Sequence, residues 1–165
     1  MPEPMTPADE AAVAVQLQRA PRGVVGIAYR CPCGKPAVVV TQPRLDDGTP
    51  FPTTYYLTCP RAVAACSSLE AHGLMADMTD RLRHDHELAS AYRQAHEQYL
   101  ADREELGSVP EIAGISAGGM PDRVKCLHAL VAHSLAVGSG VNPLGDEALK
   151  EIGMFWAPPC LQEVS

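Results

Sequence analysis

The sequence predicts an α+β protein, a small three-stranded antiparallel sheet packed with five or six α-helices. Two patterns carry that reading. β-Branched runs bounded by Pro, Gly and Cys crowd into the first third of the chain, and amphipathic helical periodicity takes over after residue 60. The length of 165 residues, without internal repeat or low-complexity tract, argues for a single domain. Within residues 1–165 it divides into an N-terminal helix (1–22), a β region (23–60), a helical region (61–156) and an irregular tail (157–165).

Thr6-Pro7 opens a capped helix over 8–19, with Val13 and Leu17 on one face and Pro21 as its stop. Residues 24–30 and 37–41 read as strands joined by the tight segment Cys31-Pro32-Cys33-Gly34-Lys35-Pro36. A polar loop with a turn at Asp47-Gly48 leads to a third strand over 55–58. Helices follow over 60–72, closed by Gly73, and over 74–83. The stretch 86–106 is a long amphipathic helix, with Leu88, Tyr92, Ala95, Tyr99 and Leu106 near one stripe and His96 on the exposed side. A Gly-containing loop, 107–120, precedes a helix over 121–136, and Asn142-Pro143 opens a last short one.

Composition sets limits on function. Aromatic residues are scarce at 5%, so Val, Leu, Ala and Met must fill the interior. No run approaches the ~18 apolar residues that span a bilayer, and the start lacks a basic-then-apolar leader pattern. The expectation is a cytoplasmic protein that does not engage the membrane. A net charge of −7, with three lysines, ten arginines and no basic run, argues against a nucleic-acid partner.

The chemistry sits in six cysteines, Cys31, Cys33, Cys59, Cys66, Cys126 and Cys160, and in the histidines near them. In a reducing compartment such thiols are more often buried, metal-bound or catalytic than disulfide-bonded. Cys31 and Cys33 flank a proline between two strands, and Cys59 ends the third. Thiolates at strand ends can bind zinc at ~2.3 Å. The spacing is Cys-x-Cys, not Cys-x-x-Cys, so a further ligand must come from far along the chain. The candidate ligands are therefore Cys31, Cys33, Cys59, Cys126, His128 and His133. They would hold zinc or, through four thiolates, an iron–sulfur cluster. With no metal, Cys33 and Cys66 are small buried hydrophobes.

An enzyme is the other reading. Cys59 precedes Pro60 at a helix start, where backbone N–H groups and the positive helix end favour a nucleophilic thiolate. On a helix over 121–136, Asp122, Cys126 and His133 fall near one face, whereas His128 shares the core stripe of Val124, Val131 and Leu135. Cys59 or Cys126 is then the nucleophile and His133 its base. The glycines Gly118 and Gly119, with Arg123 and Lys125, form a candidate site for an anionic small molecule, a phosphate or carboxylate. The Gly-Lys-Ser/Thr of a Walker A loop is missing.

Four blocks carry a resemblance: Phe51-Pro52-Thr53-Thr54-Tyr55-Tyr56-Leu57-Thr58-Cys59-Pro60, Leu69-Glu70-Ala71-His72-Gly73, Val124-Lys125-Cys126-Leu127-His128-Ala129-Leu130-Val131-Ala132-His133 and Asn142-Pro143-Leu144-Gly145. With the Cys31 segment they span about residues 24 to 160, and the chain resembles the bacterial family called domain of unknown function 501. The resemblance implies no reaction. It implies that Cys33 is often replaced, which favours Cys31, Cys59, Cys126 and a histidine as ligands. It also implies an association with proteins of cell-division or polyphosphate- or ppGpp-phosphatase type. For such a partner the helix 86–106 would serve as an adaptor surface.

Overall fold

Val38, Val39 and Val40 form a strand that shows no face to solvent, and this places it at the centre of the sheet. This strand, β2 (Pro36–Thr41), is buried throughout. β1 (Val24–Arg30) and β3 (Tyr55–Leu57) pair antiparallel on either side of it, in the order β1-β2-β3. A continuous apolar strand is what a sheet covered by other elements demands. The computed structural model describes residues 2–157; the tail from residue 158, with Cys160, lies outside the described residues.

Helix α1 (Pro7–Leu17) starts as its sequence requires. The Thr6 hydroxyl accepts from the Asp9 N–H, and the Asp9 carboxylate accepts from the Thr6 N–H. Asp9 also holds Arg30 at 2.9 Å, which fastens the helix to the end of β1. Beyond the sheet come α2 (Pro60–Ala71), α3 (Leu74–His84) and α4 (His86–Leu106), all within two residues of the sequence reading.

α5 (Leu127–Val137) is the central helix. It is buried nearly all round and packs on β3, α2 and α6 (Pro143–Ile152). Its contact with α6 is close enough that a Cβ at Gly145 would overlap Leu130 O and Ser134 Oγ.

Two expectations are corrected. Residues 121–126 are not helical. Their backbone is held by tertiary bonds instead: Tyr92 OH donates to Arg123 O, the Val124 N–H to Thr79 Oγ1, and the Lys125 N–H to Gly118 O. These bonds use the groups that an i→i+4 ladder would need. His96 is not on an exposed face either; it is buried, with Nδ1 2.7 Å from Ser116 Oγ. No helix among the described residues is long and apolar enough to cross a membrane.

Candidate metal centre

Starting α5 at residue 127 makes Cys126 its N-cap and puts His128 in its first turn. The facing element is the last stretch of α2, where Ser67 and Glu70, three residues apart, present one face. Glu70 Oε1 lies 2.9 Å from His128 Nδ1 and also accepts the Leu127 N–H at 2.9 Å. Its carboxylate thereby supplies the helix N-terminus with a negative partner. Cys126 Sγ is 3.8 Å from the same Nδ1, and Ser67 Oγ is 3.1 Å from Nε2.

The ligand atoms of Glu70, Cys126 and His128 all lie within 4.8 Å of one another. Around a tetrahedral zinc, neighbouring N, O and S ligands stand roughly 3.3–3.6 Å apart, given bonds of ~2.0–2.3 Å. The contacts of 2.9 and 3.8 Å depart from that by about half an ångström or less. The second nitrogen of His128 faces a hydroxyl oxygen, the outer partner that fixes a ligating imidazole. All three residues are partly exposed, with side chains of His128 and Glu70 at 26% and 24%.

Electrostatics couple the three. Burial pushes the Cys126 thiol up, but the His128 imidazole, the Ala129 N–H and the charge of His128 outweigh it, and the net shift is downward. The hydrogen bond to Cys126 raises His128 from 6.5 to about 9, against burial and with the help of Glu70. Without a metal the pair is therefore biased toward thiolate and imidazolium. Cys126 and His128 line a pocket of about 540 Å³ whose other walls include Leu17, Tyr55, Tyr56, Val63 and Ala129.

Cys31, Cys33 and Cys59 gather at one end of the sheet, on either side of the start of β2, and lie outside the Glu70 group. The Cys33 N–H points at Cys31 Sγ from 3.5 Å; Cys31 and Cys59 are buried, Cys33 exposed. Cys59 is the N-cap of α2, as expected, but its side chain makes no capping bond. Cys66 is fully buried, and burial pushes its thiol up to about 12. His133 does not meet Cys126. It is fully buried, stacked on Tyr55 and edge-on to Tyr99, with Asn142 Nδ2 3.2 Å from Nδ1. Burial lowers it to about 4, so it sits neutral in the core.

The face assignments on α5 are thus exchanged: His128 belongs to the Cys126 group and His133 to the interior. The cause is the helix start, since residues 122 and 126 lie outside the helix and do not share its periodicity with His133. Glu70 went unrecognised as a site residue. The signal available for it was its place in the Leu69-Glu70-Ala71-His72-Gly73 block that carries the family resemblance. Gly118, Gly119, Arg123 and Lys125 do share one cleft, together with Arg83.

No curated protein and no solved structure matches the chain. The family model described as "Protein of unknown function (DUF501)" matches residues 27–150, which include the whole Glu70–Cys126–His128 group. The chain belongs to the DUF501 family.

Proposed function

We propose that the protein binds a divalent transition metal, zinc foremost, through Glu70, Cys126 and His128. The observation that carries this is the convergence of one carboxylate, one thiol and one imidazole within 4.8 Å. A mixed O, S, N set suits zinc better than magnesium or calcium, which take oxygen ligands. An iron–sulfur cluster takes its four ligands chiefly as thiolates, and this group offers only one. Three protein ligands leave a fourth position for water or substrate, the pattern of catalytic rather than structural zinc. The pocket lined by Cys126 and His128 supplies room for that position.

Elemental mass spectrometry on untagged protein tests the reading. It expects about one zinc per chain, lost in Cys126→Ser and in His128→Ala. Unchanged metal content in both variants would overturn it.

The thiolate–imidazolium bias of Cys126 and His128 favours one second reading, a cysteine nucleophile with His128 as its proton partner. Glu70 then orients the histidine. This reading requires a metal-free active protein, whereas the first requires activity to vanish with the metal.

A further inference from the structure

Arg83, Arg123 and Lys125 are three exposed cations that reach one cleft of about 850 Å³, although two lie in the loop and one on α3. The chain as a whole is acidic, with a net charge of −7, and five of its ten arginines pair with a carboxylate among the described residues. Arg22, Arg30, Arg44, Arg81 and Arg93 each stand within 4.0 Å of a carboxylate. None of these pairs includes Arg83, Arg123 or Lys125. The carboxylate in the cleft wall, Asp122, is directed to Arg93 at 3.5 Å. Three cations thus line the cleft against one carboxylate, Asp122, which pairs with Arg93 outside this trio, and the positive excess favours an anion there.

The floor of the cleft is built rather than loose. Ser116 is anchored on His96, Arg123 O on Tyr92 and the Val124 N–H on Thr79, while Lys125 N–H and Arg123 N–H close onto Gly118 O and Gly119 O. Gly119 is required by this closure: a Cβ there would stand 2.8 Å from Arg123 O, and its φ is +92°. Around the same turn, the N–H groups of Ala117, Gly118 and Gly119 have no backbone acceptor among the described residues. Fixed donors, and guanidinium groups without a carboxylate partner among the described residues, are the features of an oxyanion site that pays little to organise.

We infer that this cleft binds a phosphoryl-bearing small molecule, with Arg83, Arg123 and Lys125 around the phosphoryl oxygens. Two arginines favour bidentate contact with a tetrahedral oxyanion. The cleft exceeds a single phosphate ion, and Ile115, itself 57% exposed, offers an apolar wall for the remainder of the ligand.

The test is titration of the full-length protein with pyrophosphate, read by calorimetry and by amide NMR shifts, with sodium sulfate as the control for charge alone. Saturable pyrophosphate binding is expected, with shifts centred on residues 116–125. Arg83→Ala and Arg123→Ala should each weaken it about tenfold while leaving the melting temperature unchanged, since neither side chain is bound internally. Equal shifts with sulfate, or unchanged affinity in both variants, would overturn the inference. Pyrophosphate can also ligate a metal, so Cys126→Ser is included. Binding that persists there supports the cleft, and binding lost there alone assigns the anion to the metal centre and overturns it.

Discussion

Glu70 reaches from the last turn of α2 to His128 in the first turn of α5, with Oε1 2.9 Å from Nδ1. The same oxygen accepts the Leu127 N–H. One carboxylate thus serves a helix start and a candidate metal site at once, and the two roles separate by substitution.

Glu70→Gln keeps an oxygen for the Leu127 N–H and removes the anionic ligand. Metal content should fall while the melting temperature of the metal-free protein stays near that of wild type. Glu70→Ala loses both, and should cost a further ~1 kcal/mol in denaturant unfolding, as the loss of a cap does. Equal stability of the two variants would remove the capping role.

Metal-free protein should be alkylated first at Cys126, at a pH below that at which an ordinary thiol reacts. Cys66 should be inert, being buried with its thiol pushed up to about 12. Peptide mapping after iodoacetamide treatment reads both. Zinc should protect Cys126, and His128→Ala should slow its reaction.

Stability should fall with acid through His133. Its folded value of about 4 lies below the ordinary 6.5. Above pH 6.5 the residue is neutral in both states and adds no pH dependence. As pH drops from 6.5 toward 4 the unfolded chain takes up a proton that the folded chain refuses, which costs about 3 kcal/mol at most. Buried His96 is shifted in the same direction and adds to the slope. His133→Phe should flatten the slope of unfolding free energy against pH in that window, whatever it does to absolute stability. A slope identical to wild type would assign the acid sensitivity elsewhere.

Gly145→Ala should destabilise by about 1–3 kcal/mol, because its new methyl group meets the Leu130 carbonyl of the α5 backbone, which cannot turn away, as well as the Ser134 hydroxyl. Thermal melting checks this, and a neutral effect would mean that α6 can shift on α5 without cost.

The strands and the first helices were legible because β-branched runs and helical stripes are local signals. Val38, Val39 and Val40 announce a central strand on their own. The start of α5 was not legible. Residues 121–126 have helical composition, but Thr79 and Tyr92, more than thirty positions away along the chain, capture their backbone groups. With the helix starting at residue 127, the partner of Cys126 is His128 rather than His133. Glu70 was hidden for a similar reason, since it lies 58 positions from His128 and no spacing rule links them. The basic cleft was partly legible, as Gly118, Gly119, Arg123 and Lys125 are neighbours in sequence, while Arg83 arrives on α3.

α4 carries its polar groups inward at positions 92, 96, 99 and 103, a single helical face. Tyr92 holds Arg123, His96 holds Ser116, Tyr99 accepts the Thr54 N–H, and Arg103 donates to Pro52 O and Ile112 O. The long segment between α4 and α5, almost without regular structure, is therefore stitched to the helix at several depths. Opening it would strand buried donors and acceptors, so it belongs to the same cooperative unit as the core. Its bonded amides, those of Arg123, Val124 and Lys125, should exchange with solvent on the timescale of global unfolding rather than as a surface loop would.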